Sequence, residues 1–326
     1  LFSIGTFAAR KTRVIQTNDF SAFSEATADL NRKNGASGSQ GTQEMDTSTY
    51  GTMRLIVKSK GPALDLTGYG ADTVIQGPNG YYIVQFDSKK ETETCMRQLS
   101  TNPNVEYVEP DSVVTVEDTE VGEEIDLSSE SEESFSEVLG GEDSATAYSW
   151  GVAKIEANKY ASYLKGLGKT QTIRVAVVDS GVWRSHSMLS GRVESSIGYD
   201  YVDNDSNPFN DVKDNGTHVA GTIVDCTPGL NVRIIAVRVL DNSGNGYSSD
   251  VGNGIRYAVD HGAKVINLSL GGGHSYYKDD AISYAISKGA VVVVSAGNDG
   301  RSIGTYCPAH ITDCITVSAI DEDESL

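Results

Sequence analysis

The sequence has little of several features that would assign it to other classes of protein. It contains only 4 cysteines and 7 prolines in 326 residues, which argues against a disulfide scaffold and against disordered proline-rich linkers. Its 26 basic residues are outnumbered by 45 acidic ones, giving a formal net charge of −19. A surface this acidic repels phosphate groups. We therefore expect neither nucleic acid nor a membrane as a partner. No apolar run reaches the roughly 18 residues that indicate a transmembrane helix.

Composition divides the chain into four predicted regions. A leader rich in polar and small residues spans 1–50, a compact module 51–116, an acidic linker 117–143, and a larger domain 144–326. We expect the leader to be disordered, and its first nine residues to be either the tail of a signal peptide or an arbitrary start. The linker holds twelve Asp or Glu and no Lys or Arg, and such a block repels itself and extends.

The last region alternates apolar strands with helical patterns. Strand-like runs begin at Ile173, Val232, Val265, Val291 and Ile315. Their near-continuous apolar character is typical of strands buried on both faces. Between two of them, Val251, Ile255 and Val259 recur at helical spacing. This alternation predicts an α/β fold with a doubly wound parallel sheet, whereas the module at 51–116 reads as a small α+β domain.

Three polar residues are expected at the carboxyl edge of this sheet. Asp179 follows the first strand, Asn298 follows the strand at 291–294, and His218 lies in a glycine-bounded segment between strands. Ligands bind beyond the carboxyl ends of parallel strands, so we expect the three to share one cleft. Singly, each has an ordinary explanation: an Asp that caps a turn, a His with local hydrogen bonds, and an Asn in a turn.

Four segments of this region resemble the motifs of the subtilisin family in order and approximate spacing. They are Val-Ala-Val-Val-Asp-Ser-Gly-Val at 175–182, Asn-Gly-Thr-His-Val-Ala-Gly-Thr-Ile at 215–223, Val-Ile-Asn-Leu-Ser-Leu-Gly-Gly at 265–272, and Val-Val-Val-Val-Ser-Ala-Gly-Asn-Asp-Gly at 291–300. The resemblance covers roughly 148–326. It implies a subtilisin-like fold and a serine endopeptidase that acts on polypeptides without a required cofactor.

The resemblance also implies catalytic roles. His218 would be the general base, Asp179 would orient its imidazole, and Asn298 would donate a hydrogen bond to the oxyanion. Asn215 stands where the family usually has a second histidine, and we expect this departure to leave the base intact. The family's Gly-Thr-Ser-Met-Ala motif does not occur up to Leu326. We therefore expect the nucleophilic serine beyond the end of this sequence.

Peptide contacts follow from the same resemblance. Two backbone segments are expected to clamp an extended peptide as added strands, and a third to form the wall of the main specificity pocket. These residues are Gly244, Asn245 and Gly246, then Ser269, Leu270 and Gly271, and then Ser295, Ala296 and Gly297. Without the resemblance, the glycines would be turn formers and Ser269 with Leu270 a strand end.

The module at 51–116 resembles the inhibitory propeptides of this family, most clearly in Asn-Pro-Asn-Val-Glu-Tyr-Val-Glu-Pro-Asp at 102–111. This resemblance implies a precursor whose propeptide inhibits its own enzyme, secreted or vacuolar and monomeric. A non-catalytic subtilisin-like protein, which binds peptides or inhibits through this module, is the alternative. A nucleotide-binding domain would need a Gly-x-Gly-x-x-Gly loop between a strand and a helix, and we find none.

Two smaller expectations concern cysteines and cations. Cys307 and Cys314 are close enough in sequence to close a small loop, and we expect a disulfide between them. We assign no metal-ligating residues from the sequence. A structural calcium ion on the carboxylates of Asp200, Asp203 and Asp205 is an alternative to their being solvated surface acids.

Overall fold

The computed structural model describes residues 12–33, 51–61, 63–116, 150–169, 171–300 and 302–320. They form an N-terminal module and a larger α/β domain that pack against each other. The predicted acidic linker at 117–143 lies outside the described residues, as do 1–11 and 34–50 of the predicted leader.

The module is a five-stranded sheet with two helices. Its strands are β1 (Arg13–Gln16), β2 (Arg54–Ser59), β3 (Thr73–Gln76), β4 (Tyr81–Gln85) and β5 (Val105–Pro110), and its helices are α1 (Phe20–Lys33) and α2 (Lys89–Leu99). The spatial order is β1-β3-β4-β2-β5, with β1 and β3 parallel and the other pairs antiparallel. Helix α2 begins where the Ser88 hydroxyl accepts a hydrogen bond from the N–H of Glu91, the usual N-cap.

The prediction of a disordered leader is wrong for residues 12–33, which form β1 and α1. Phe23 and Leu30 of α1 are seven residues apart, lie on one face of the helix, and are buried against Ile56 and Ile83 of the sheet. The polar composition hid this short apolar face, because only a few large side chains carry it.

The α/β domain contributes the remaining strands and helices. After β6 (Val113–Val116), the strands are β7 (Ile173–Asp179), β8 (Val193–Asp200), β9 (Val232–Arg238), β10 (Asn245–Tyr247), β11 (Val265–Leu268), β12 (Leu270–Gly272), β13 (Val291–Ser295) and β14 (Ile315–Val317). The helices are α3 (Trp150–Lys154), α4 (Ala157–Gly166), α5 (Asn215–Asp225), α6 (Ser248–Asp260) and α7 (Tyr276–Ser287). Within the described ranges, no helix is long and apolar enough to cross a membrane.

The main sheet has six parallel strands in the order β14-β13-β11-β7-β9-β8. Both of its faces are covered: Ala176 and Val178 of β7 pack with α6 and α7, whereas Val175 and Val177 pack with α5. The doubly wound parallel sheet predicted from the sequence is therefore confirmed. Chain order reverses on the two sides of β7, so its carboxyl end opens into the crevice where such sheets bind ligands.

Candidate active site

Asp179 ends β7 at the carboxyl edge of the main sheet and is completely buried. Its Oδ1 accepts the N–H of Ser180 at 2.7 Å, and both carboxylate oxygens accept from the Nδ2 of Asn215, at 2.8 and 2.9 Å. Burial raises the pKa of Asp179 to about 6, and the hydrogen bonds from Asn215 and Ser180 oppose that rise. The side-chain partner of this carboxylate is thus an amide.

His218 lies on α5, three residues after Asn215. Three residues are nearly one helical turn, so His218 lies about 4.5 Å farther along the helix axis than Asn215. The imidazole is exposed and lines an open groove with Trp183 and Thr222. Among the described residues its side chain makes no hydrogen bond. The structure therefore brings Asn215, and not His218, onto Asp179.

The start of α5 is held tightly against the end of β7. Gly216 permits the approach, because a Cβ there would lie 2.0 Å from the carbonyl oxygen of Gly181. Asp211 then ties the two segments: one oxygen accepts from the N–H and hydroxyl of Thr217, at 2.8 and 2.5 Å, and the other from the Ser180 hydroxyl at 2.8 Å. Sequence reasoning did not single out Asp211, although an Asp shortly before a helix is a common capping signal.

Asn298 lies at the same edge of the sheet, three residues beyond β13, and is exposed. Only β11 separates β13 from β7, so the carboxyl ends of these two strands are about 10 Å apart. Gly297 turns the chain before Asn298 with a φ of +92°, a conformation that favours glycine. Asp179 and Asn298 therefore flank the end of β11.

A second, three-stranded sheet crosses this region in the order β10-β6-β12, antiparallel throughout. Thr115 of the central strand lies opposite Asn245 on one side and Gly271 on the other. The carbonyl oxygen of Gly244 accepts the N–H of Val116 at 2.8 Å. The two segments expected to clamp a peptide thus flank an extended strand, and that strand is residues 113–116 of the same chain.

Side chains of β6 alternate between the domain and solvent. Val114 and Val116 are buried in the core cluster that contains Leu240 and Leu270, whereas Thr115 is exposed. Gly244 makes room for one of them, since a Cβ on it would lie 2.5 Å from Cγ1 of Val116. This glycine is therefore a packing requirement as well as a turn former with a φ of +80°.

The expected pocket wall at 295–297 lies beside an aromatic ring that sequence reasoning missed. A Cβ on Gly271 would lie 2.3 Å from the ring of Tyr306, and one on Gly297 would lie 3.0 Å from it. Ser295 Oγ is buried without a hydrogen-bond partner among the described residues. Ser269 does not pair with β6, and its Oγ accepts from Nδ2 of Asn267 at 2.9 Å.

Asp111, just before β6, binds the N-terminus of α6. Its Oδ1 accepts the N–H of Ser249 at 2.9 Å, and its Oδ2 accepts the Ser249 hydroxyl at 2.7 Å. The guanidinium of Arg54 forms an ion pair with the same carboxylate, and both side chains are fully buried. A carboxylate at a helix N-terminus is stabilised by the free N–H groups and by the helix dipole.

Glu109 binds the N-terminus of α7 in the same way. Its carboxylate accepts from the N–H of Tyr276 at 2.8 Å, the N–H of Tyr277 at 3.1 Å and the Ser275 hydroxyl at 2.9 Å. Burial raises the pKa of Glu109 to about 7, against the effect of these hydrogen bonds. Glu109 and Asp111 lie in the segment 102–111 that carried the propeptide resemblance, but sequence alone gave them no partner.

The expected disulfide is not formed in the structure: Cys307 and Cys314 are both free thiols. The Sγ of Cys307 instead donates to Oδ1 of Asp279 at 3.5 Å. Burial raises the pKa of each thiol to about 11. Proximity in sequence was an insufficient criterion, because a disulfide also requires the two Cβ atoms to face each other.

The acids considered for calcium are paired with an arginine. Nη1 of Arg238 lies 2.8 Å from Oδ2 of Asp200 and 2.7 Å from Oδ2 of Asp203, and the Arg238 and Asp200 side chains are fully buried. Asp205 contacts Asp200 through a pair of backbone hydrogen bonds. The Arg238 guanidinium therefore supplies positive charge to Asp200 and Asp203, whereas Asp205 is exposed, as expected of a solvated surface acid.

Comparison with known proteins matches residues 170–326 to the subtilase family, Peptidase S8. The chain is 36% identical over 247 residues to a thermophilic serine proteinase of Bacillus sp. (strain AK1), covering 72% of this chain and 54% of the relative. It is 42% identical over 186 residues to thermitase of Thermoactinomyces vulgaris, covering 54% of this chain and 63% of the relative. The chain thus spans more than half, but less than two thirds, of the length of each of these relatives.

A crystal structure of a cold adapted subtilisin-like serine proteinase is 37% identical over 44% of this chain and 53% of that chain, with a TM-score of 0.41. The resemblance named from four motifs is confirmed by the family match and the two curated relatives. Residues 170–326 of this chain therefore match the subtilase family.

Proposed function

We propose that this chain binds extended peptides in a subtilisin-type groove and is held in a self-inhibited, precursor-like form by its own N-terminal module. The observation that carries the proposal is the sheet β10-β6-β12, whose central strand follows directly on the module. A peptide added as a strand gains main-chain hydrogen bonds on both sides, and pockets for alternate side chains give specificity. The substrate class is therefore extended polypeptide, with small aliphatic side chains at the places of Val114 and Val116.

The inhibitory part of the proposal rests on how firmly the module is anchored. Two carboxylates hold β6 in place: Asp111 binds the start of α6, and Glu109 binds the start of α7. A competing peptide would have to displace β6 while these hydrogen bonds hold the module. Because β6 is tethered, it competes at a high effective concentration. We extend the proposal to a secreted or vacuolar monomer that needs no cofactor for peptide binding, as the resemblance of the module to inhibitory propeptides implies.

Two chemistries fit this groove, and the residue opposite Asp179 separates them. For the chain as it stands, we favour non-catalytic peptide binding. The Asn215 amide donates to Asp179, and an amide has no basic nitrogen that could take the proton of a nucleophile. The second candidate is serine endopeptidase activity, which is favoured by the proteinases among the relatives.

In the second candidate, the roles are those expected from the sequence. His218 would accept the proton of a nucleophilic serine, Asp179 would orient the imidazole, and Asn298 would stabilise the oxyanion. This requires the His218 side chain to reach the carboxylate in place of Asn215. Hydrolysis would then proceed through an acyl-enzyme intermediate at the end of β11.

Peptide binding is tested with a fluorescent peptide of residues 111–118 and the full-length protein. The double variant Val114→Asp, Val116→Asp should release β6 and bind the peptide, because two charges cannot stay in the apolar core. The wild type and the Thr115→Asp control, which alters the exposed face of β6, should not bind it. Release of β6, seen as faster amide exchange of residues 113–116, without any peptide binding would refute the proposal.

The chemistry is tested on the same full-length protein with a fluorogenic peptide. Non-catalytic binding predicts no hydrolysis by the Val114→Asp, Val116→Asp variant, in which β6 is released. It predicts a gain of hydrolysis when Asn215→His is added to that variant. The endopeptidase candidate predicts hydrolysis without that change, and its loss in His218→Ala. The second pattern would overturn our preference while leaving the peptide-binding proposal intact.

A further inference from the structure

Three side chains converge on the side of the domain where β12 leads into α7. His274 lies two residues beyond β12, Asp279 lies in the first turn of α7, and His310 precedes β14. Nε2 of His274 lies 3.2 Å from Oδ2 of Asp279, and Nε2 of His310 lies 3.4 Å from the same oxygen. One ligand atom from each residue lies within 4.8 Å of the others.

These separations fit a tetrahedral metal site. Zinc binds imidazole nitrogen and carboxylate oxygen at about 2.0–2.2 Å, so two such ligands at the tetrahedral angle are about 3.4 Å apart. We propose that His274, Asp279 and His310 bind one divalent transition metal ion, zinc by this ligand set, with water in the fourth position. Neither the peptide groove nor the Asp179 site takes part in this site.

The second ring nitrogen of His310 supports the assignment. Its Nδ1 lies 3.2 Å from the carbonyl oxygen of Tyr306, and a carbonyl can only accept, so Nδ1 carries the proton. In the neutral imidazole, Nε2 then presents a lone pair to the Asp279 oxygen. Two lone pairs 3.4 Å apart repel each other unless a proton or a cation lies between them. A backbone carbonyl that fixes the tautomer in this way is the usual outer shell of a metal-bound histidine.

The carboxylate has an outer-shell partner as well. While Oδ2 of Asp279 faces the two histidines, its Oδ1 accepts from the buried thiol of Cys307 at 3.5 Å. Backbone hydrogen bonds in both directions join Cys307 to Gly272, at 3.1 Å each. The metal would therefore fasten three pieces together: the end of β12, the start of α7 and the loop at 306–310.

This location gives the ion a structural role beside the peptide groove. β12 forms one side of the groove, and Tyr306 packs against Gly271 of that strand. A metal ion that holds both the loop and the strand would stabilise this wall. Its loss should loosen the wall without touching Asp179 or Asn215.

The test uses full-length protein freed of metal with a chelator and titrated with zinc chloride by calorimetry. We expect one zinc ion per chain, a rise in Tm with zinc, and the absorption bands of tetrahedral cobalt when Co²⁺ replaces zinc. His310→Ala and His274→Ala should each weaken zinc binding by at least about 100-fold, because loss of an outer-shell partner alone costs about 10–100-fold. Because the His274 side chain is partly exposed, we expect His274→Ala to fold even if His310→Ala does not.

His261→Ala is the matched control. Its Nδ1 also lies near a backbone carbonyl four residues earlier, at 2.8 Å from Tyr257 O, but His261 belongs to no candidate metal-binding group among the described residues. This variant should bind zinc as the wild type does. Absence of zinc binding by the wild type, or unchanged binding by His274→Ala and His310→Ala, would overturn the proposal. Because peptide binding is measured separately, failure here leaves the proposed function standing.

Discussion

The peptide groove and the Asp179 site lie at neighbouring strand ends but are built from different kinds of group. The groove is made of main-chain N–H and C=O groups of β10 and β12, and β6 satisfies them. The Asp179 site depends on one side chain meeting another, and there an amide replaces the imidazole. Backbone recognition tolerates sequence change better than acid–base chemistry, because one substitution removes a base but leaves a strand able to pair.

The largest effect is expected where the module is fastened to the groove. Asp111→Ala removes the carboxylate that pairs with the buried Arg54 and caps α6, and breaking such a buried pair costs about 3–5 kcal/mol. Urea unfolding should show this loss, together with faster amide exchange in β6. Arg97→Ala, which breaks an exposed pair with Glu93, is the control and should change little. Equal effects of the two variants would contradict the anchoring role of Asp111.

A smaller effect is expected at the glycine that accommodates β6. Gly244→Ala would place a Cβ 2.5 Å from Val116 at a φ of +80°, which should destabilise the protein by about 2–3 kcal/mol. Gly289→Ala has a similar φ of +82° with open space around it, so it isolates the backbone strain of about 1 kcal/mol. Denaturant midpoints measure both. If the two variants lost the same stability, the contact with Val116 would make no contribution.

The Asp179 site can be probed by stability as well as by chemistry. Asn215→Ala removes two hydrogen bonds from a fully buried carboxylate, so we expect a loss of about 1–3 kcal/mol in the free energy of unfolding. His218→Ala removes an exposed side chain without hydrogen bonds among the described residues and should have little effect. The reverse order would show that His218, and not Asn215, is the partner of Asp179.

The smallest effect is a pH dependence of module docking. The pKa of Glu109 is raised to about 7 in the docked protein from an ordinary value of 4.5, so the docked state binds more protons between these values. This contribution to stability is fully present below about pH 4.5 and is lost as the pH rises through about 7. Glu109→Gln should remove it. Subtracting the two stability–pH curves isolates this contribution, and a difference that grows with pH would contradict the sign.

Some of the sequence expectations held because they rest on local pattern. The strand starts predicted from apolar runs are those of β7, β9, β11, β13 and β14, namely Ile173, Val232, Val265, Val291 and Ile315. Others failed because composition averages over too many residues, as with α1 in the supposed leader. β8, whose burial pattern is mixed, was not predicted, because it lacks both a clean alternation and a continuous apolar run.

By itself, the sequence determined the doubly wound sheet and the edge at which Asp179 and Asn298 lie, because strand order and hydrophobic pattern set these, and four motifs carried the resemblance to subtilisins. Only the tertiary structure decided which side chain meets Asp179, which strand fills the groove, and that His274, Asp279 and His310 converge. These depend on positions good to about an ångström between segments far apart in the chain. A helix that starts one residue earlier or later exchanges Asn215 and His218 for other neighbours, and no spacing rule records that choice.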